Sequence, residues 1–156
     1  MLYFSAQNGG ELYLFGGEFA SPSSMQFYHY KDLWRYSLAT KKWDKIQAPN
    51  GPSARSGHRM VLHKKKIFLF GGFHDNDQTF KYFNDVYVFS LETYLWTKIE
   101  VQGMGPTARS GGCIAAGDDK LFVWGGYTKS NDKKDAQRGT THADFFILAP
   151  VDSKDL

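Results

Sequence analysis

The sequence predicts an all-β chain of about three four-stranded antiparallel blades, packed face to face around an axis. Three observations predict it. A six-residue segment recurs as Leu12-Tyr-Leu-Phe-Gly-Gly17, Ile67-Phe-Leu-Phe-Gly-Gly72 and Leu121-Phe-Val-Trp-Gly-Gly126, with the Gly-Gly pairs 55 and 54 residues apart. Other landmarks keep nearly that period. Gly51-Pro-Ser-Ala-Arg-Ser-Gly-His58 matches Gly105-Pro-Thr-Ala-Arg-Ser-Gly-Gly112 at six of eight positions, and Trp43 and Trp96 lie 53 apart. Asp32-Leu-Trp34 likewise matches Asp85-Val-Tyr87 and, more loosely, Asp144-Phe-Phe146. Finally, the apolar run before each Gly-Gly is short and continuous, as in a strand buried on both faces; a helix would need a longer run. Double-sided sheets recurring at about 50 residues have to cover one another.

The middle unit shows the elements in order. Strands a, b, c and d are predicted over residues 57–62, 66–70, 85–91 and 96–101. Lys64-Lys65-Lys66 links a to b, and Gly117-Asp118-Asp119 does the same in the third unit; both read as tight hairpin turns. Unit boundaries fall at 1–50, 51–104 and 105–150, with a tail over 151–156. The third unit has no Trp after Asp144 and no strand d. Gly16, Gly17, Gly71, Gly72, Gly125 and Gly126 let the chain leave strand b with positive φ or approach a neighbouring backbone. A phosphate cradle would need a helix N-terminus after the glycines, and no helical pattern follows them. Trp43 and Trp96 are expected to pack structurally against their blades' turn regions. Cys113, in strand a of the third unit, reads as a buried small hydrophobe near the axis.

Four apolar residues, a Gly-Gly doublet, then an aromatic six residues before a Trp resemble the kelch repeat. Tyr36 and Trp43, and Phe89 and Trp96, occupy the last two positions, Phe89 standing where the pattern has Tyr. The resemblance covers residues 1 to about 148 and implies a kelch-type β-propeller of about three blades, which is an incomplete propeller. The added wording around Arg55–His58 and Tyr28–Asp32 resembles one branch of the kelch-domain proteins. Some kelch-type propellers are copper oxidases that use tyrosines and histidines on the metal, a set that does not map onto this chain.

Composition narrows the function classes. Aromatics make up 17% of the 156 residues, which excludes intrinsic disorder. Nineteen basic against 16 acidic residues is too balanced for a dedicated nucleic-acid binder. One cysteine excludes an intrachain disulfide framework. The longest apolar run, residues 145–151, is far short of the ~20 residues of a membrane span. With no signal-peptide pattern and no Asn-x-Ser/Thr acceptor, the expectation is a soluble intracellular, cytoplasmic protein that engages neither nucleic acid nor membrane.

No catalytic set is legible: there is no Gly-x-Ser-x-Gly, His-Glu-x-x-His or Walker pattern. His58 and His63 are five apart, on opposite faces of a strand. His29, His74 and His142 each follow a Gly-Gly and could converge only if three blades presented them together. Loop or capping roles are the preferred reading, with no metal, cofactor or catalytic residue assigned.

Blade topology puts the b–c and d–a connections on one side. The b–c loops, 18–31, 73–84 and 127–143, are long enough to suggest function. They carry Phe19, Phe27, Tyr28, Tyr30, Phe73, His74, Phe80, Tyr82, Phe83 and Tyr127, and the d–a loops add Arg55 and Arg109. Aromatics and arginines dominate interface hot spots, so Tyr28, Tyr30, Arg55, Phe73, His74, Tyr82, Arg109 and Tyr127 are candidate contacts for another protein. The arginines have a structural alternative, bracing neighbouring blades through backbone carbonyls. Residues 129–138 are polar and net basic and are expected to be solvated. A half-propeller leaves two end faces of roughly 330 Å² each uncovered. A fragment or shortened form of a longer protein is the preferred explanation; pairing of two copies and partner-supplied blades are the others. Self-association of the isolated chain is therefore expected.

Overall fold

The computed structural model describes residues 2–5, 10–22, 26–75, 80–129 and 138–150. Among these there is no helix, hence none long and apolar enough to cross a membrane. The first blade holds β1 (Leu2–Ser5) and β2 (Glu11–Phe15), then, after a ribbon of β3 (Glu18–Ala20) and β4 (Phe27–His29), β5 (Leu33–Ser37) and β6 (Lys42–Ile46). Its sheet order is β1-β2-β5-β6, all antiparallel. The second blade repeats the plan with β7 (Arg59–His63), β8 (Lys66–Phe70), the ribbon β9 (Phe73–Asp75) and β10 (Phe80–Tyr82), β11 (Val86–Ser90) and β12 (Trp96–Ile99). The third has β13 (Cys113–Gly117), β14 (Lys120–Trp124), the ribbon β15 (Tyr127–Lys129) and β16 (Gly139–Thr141), and β17 (Phe145–Leu148). Its sheet has three strands, β13-β14-β17. The expected tail over 151–156 lies outside the described residues.

Local chemistry sets the turns. Asp118 and Asp119 both take positive φ, at 50° and 58°, the two-residue turn that matches the twist of its flanking strands. The c–d turns repeat one device. Ser37 Oγ accepts from Thr40 N, and Ser90 Oγ from Thr93 N, both at 3.2 Å, while the equivalent Lys41 and Tyr94 take φ of 56° and 57°.

The blades stack through two apolar layers. Tyr13, Phe15 and Leu33 of blade 1 meet Met60, Ile67, Leu69, Phe89 and Trp96 of blade 2. Phe68, Phe70 and Val86 then meet Leu121 and Val123 of blade 3. Strand β8 therefore buries both faces, which explains its unbroken apolar run. Only this b strand is fully double-sided. In β2, Leu12 and Leu14 are half-buried, and in β14 Trp124 is 57% exposed, because their outward faces meet no further blade among the described residues.

That one-sidedness corrects two expectations. Cys113 is exposed rather than a buried hydrophobe. It pairs across from Trp124, which pairs with Phe145, so all three lie on the outward face of blade 3. Trp43 is also not packed away: it is 46% exposed and tilts over Tyr36 at 5.0 Å. Trp96, at 3% exposure, reaches beyond its own turn. It lies against Phe89, Phe15 and the backbone of Gly51, in the connection arriving from blade 1.

Candidate functional site

The b–c connections are not open loops. Each folds into a two-stranded ribbon, and the ribbons with the d–a segments form one rim. The second and third ribbons are tied down at their bases. Ser56 and Ser110 bridge to Phe73 and Tyr127 through paired backbone hydrogen bonds of 2.7–3.0 Å. Neighbouring ribbons also touch: His29 of the first lies 5.9 Å from the Phe73 ring and 4.8 Å from the His74 ring of the second. Periodic alternation over 18–20 and 27–29 was too short to reveal these strands from sequence.

Arg55 and Arg109 sit at the blade junctions. The Arg55 backbone accepts from Gly17 N at 2.9 Å and donates to Tyr30 O at 3.1 Å, both in blade 1. Its guanidinium turns into blade 2, donating to Gly71 O at 3.0 Å and to both Asp85 oxygens at 2.5 and 3.1 Å. It also lies 3.8 Å from the centre of the Phe83 ring. Arg109 makes the equivalent contacts at the next junction, taking backbone bonds to Gly72 and Phe83 and side-chain bonds to Gly125 O and Asp144. Each side chain is 1% exposed, so these two candidates brace blades and offer no free guanidinium to a partner. The bond from Arg109 holds the Asp144 carboxyl below its ordinary range. The pairing was not legible from the period, since the arginines lie 54 residues apart and their carboxylates, Asp85 and Asp144, lie 59 apart. Asp32 has no such arginine among the described residues and pairs with Lys45 at 2.9 Å.

The doublet glycines belong to this junction. A Cβ on Gly72 would lie 2.9 Å from Ser56 O, and one on Gly71 would lie 2.7 Å from Arg109 O. Their φ values of 112° and 68° exclude most other residues as well.

The remaining candidates divide by exposure. Tyr28, Tyr30 and Tyr127 are exposed on the rim, with Phe19 and Phe27. Phe19 and Tyr28 stack at 6.4 Å across β3 and β4. Phe73, His74 and Tyr82 are half-buried: Phe73 packs on Tyr82 at 5.0 Å, and His74 Nδ1 bonds the Ala54 carbonyl at 2.9 Å. Burial raises the pKa of the Tyr82 hydroxyl. The polar stretch 129–138 falls mostly outside the described residues.

The histidines do not form a donor set. Burial, followed by the charge of His74, lowers the His29 pKa, so its 3.3 Å approach to Glu18 is a contact of a neutral ring. His142 Nε2 lies 2.8 Å from Thr128 Oγ1. His58 is buried edge-on to Phe15 and its pKa falls to about 3, chiefly through desolvation. Among the described residues no group of three His, Cys, Asp or Glu side chains is placed to hold a metal ion.

The KLHDC2/KLHL20/DRC7 Kelch-repeats domain model matches residues 4–153. The chain belongs to this kelch-repeat family. Among curated relatives, the kelch chain is 31% identical over 122 residues to Tip elongation aberrant protein 1 of Schizosaccharomyces pombe, covering 78% of this chain and 10% of the relative. It is 30% identical over 150 residues to Acyl-CoA-binding domain-containing protein 4 of Arabidopsis thaliana, covering 94% and 21%. It is 27% identical over 146 residues to human Kelch domain-containing protein 3, covering 90% and 38%. The kelch chain thus spans well under half the length of these relatives. The solved structure of YjhT matches 99% of the kelch chain and 53% of its own, with a TM-score of 0.62 and 18% identity, a likeness of fold.

Proposed function

We propose that the kelch chain is a non-enzymatic interaction module that binds another protein across the ribbon rim. One observation carries this reading: the exposed aromatics Phe19, Phe27 and Tyr28 stand on the hydrogen-bonded β3–β4 ribbon, Tyr30 beside it is held by backbone bonds to Gly17 and Arg55, and Tyr127 stands on a ribbon bridged to Ser110. Aromatics held on a rigid platform lose little freedom on binding and bury large areas, the signature of hot spots. Arg55 and Arg109 support the rim from below. The wording around Arg55–His58 and Tyr28–Asp32 supports, within this reading, a kinship with kelch domain-containing protein 4. An exposed lone thiol at Cys113 suits a reducing, intracellular compartment.

The test compares proteins retained by the chain with those retained by Tyr28→Ala and Tyr127→Ala variants, with thermal unfolding as control. A partner lost with either variant at unchanged midpoint supports the rim; a partner equally retained by both overturns it. The competing reading, a fragment of a copper-oxidase-like enzyme, has the close His29–His74 pair in its favour. Stoichiometric copper that disappears in His29→Ala and His74→Ala variants would favour that reading.

A further inference from the structure

The contact between the first two ribbons is interior to the chain, with both of its sides present, and it is built on a histidine. His29 ends β4 with its side chain fully buried, and neither ring nitrogen reaches a well-formed hydrogen bond. Its ring meets the Phe73 ring edge-on and lies 4.8 Å from the His74 ring. The charged and titratable groups facing it are Glu18 on β3 and His74 and Asp75 on β9. The Glu18 carboxylate lies 3.3 Å from His29 Nε2 and also accepts from Ser56 Oγ at 3.0 Å. From the d–a segment the Ala54 carbonyl holds His74 Nδ1, while the Arg55 guanidinium is committed to Asp85 in blade 2.

The repeat sets this junction apart. The residue after each Gly-Gly pairs with one on the returning strand: Glu18↔His29, Phe73↔Tyr82 and Tyr127↔Thr141. The position that reaches the next ribbon is therefore a histidine at the first junction and Tyr82 at the second, where the hydroxyl meets the Lys129 backbone. A tyrosine does not change charge in acid, and a histidine does. Among the described residues the first ribbon also lacks the paired bridge that Ser56 gives Phe73 and Ser110 gives Tyr127. A charged His29 would present two N–H donors to a pocket with one carboxylate, and a charged His74 beside it would add a like charge. Burial first, then the charge of His74, hold the His29 pKa below its ordinary value against the pull of Glu18 and Asp75. A ribbon swung out into water carries no such penalty, so the released state takes up protons more readily.

We propose that the His29–His74 contact is an acid-sensitive latch, which holds the first ribbon against the second when neutral and releases it when charged. Release carries Phe19, Phe27 and Tyr28 away from the rest of the rim. The latch is complete above about pH 6.5, the ordinary histidine value, and is lost as pH falls below it. That release would lower partner capture rests on the rim reading; the latch itself does not.

The test needs no partner. Amide hydrogen exchange of the full chain, read by NMR from about pH 7.5 to about pH 5, compares two amides at the same repeat position. Tyr30 N donates to Gly17 O at 2.9 Å in the first ribbon, and Phe83 N to Gly72 O at 3.0 Å in the second. Protection corrected for the intrinsic rate should fall about tenfold or more at Tyr30 and stay within about twofold at Phe83. His29→Tyr, which copies the second junction, should remove the fall. His74→Gln, which removes only the like charge, should raise the His29 titration midpoint and shrink the fall at Tyr30. Unchanged protection at Tyr30, an equal fall at Phe83, a fall that survives His29→Tyr, or a His29 midpoint unmoved by His74→Gln would overturn the latch. A latch that passes while Tyr28→Ala and Tyr127→Ala retain every partner leaves the rim reading to fail alone; partners lost with Tyr28→Ala while Tyr30 protection ignores pH leave the latch to fail alone.

Discussion

Replacing Arg55 with Ala is expected to weaken the fold far more than any contact surface would allow. The guanidinium is 1% exposed and donates to Gly71 O, to both oxygens of Asp85, and to the carbonyl and hydroxyl of Ser53. Truncation strands the Asp85 carboxylate, whose side chain is only 19% exposed, and leaves Gly71 O without this donor. Breaking a buried pair from one side costs about 3–5 kcal/mol. With a urea m-value of about 2 kcal/mol per molar for a chain this size, the unfolding midpoint should fall by about 2 M. Arg55→Lys should recover a fraction of the loss, because an ammonium cannot engage both carboxylate oxygens in the same fork. Arg109→Ala should cost less, since the Asp144 side chain is 44% exposed and water replaces some of what is lost. Equilibrium urea unfolding followed by tryptophan fluorescence reads all three. A loss below about 1 kcal/mol for Arg55→Ala would refute the bracing role and return this arginine to the candidate binding surface.

Two further outcomes are expected. His58 is neutral in the fold, with its pKa at about 3 against an ordinary 6.5 in the unfolded chain, so its contribution is complete above about pH 6.5 and is lost as pH falls towards 3. At pH 5 that loss is about 2 kcal/mol, and comparing urea midpoints of the chain and its His58→Phe variant from pH 8 to 5 should show a shallower slope for the variant. Trp96→Ala should cost about 3–5 kcal/mol, while Trp43→Ala, at the same repeat position but 46% exposed, should cost less than half as much. Equal losses in thermal or urea unfolding would show that the outward face of blade 1 is covered in solution.

Much of the architecture was legible because the repeat carries its own alignment. The strands predicted over 66–70 and 96–101 coincide closely with β8 and β12, since Gly-Gly and the turn residues bound them. The Gly-Gly doublets read correctly as close-approach sites, and the carbonyls they approach belong to Arg109 and Ser56. The rim was less fully legible. Tyr28, Tyr30 and Tyr127 project to solvent, whereas Arg55 and Arg109 are drawn inwards by carboxylates 30 and 35 residues away. A residue type enriched at interfaces is equally suited to a buried fork of donors, and spacing alone does not distinguish them. Cys113 and Trp43 departed from expectation for a different reason: their positions are buried only when another blade lies against them.

By itself, the sequence determined the period, the strands and the all-β class, because those follow from local turn chemistry and apolar runs a few residues long. Tertiary structure alone decided which side of each blade meets another, where each arginine finds its carboxylate, and that a glycine repeated at 51 and 105 lies under an indole once and beside a groove the second time. Burial belongs to pairs of surfaces, and a repeat unit specifies its own two faces without specifying what lies against them.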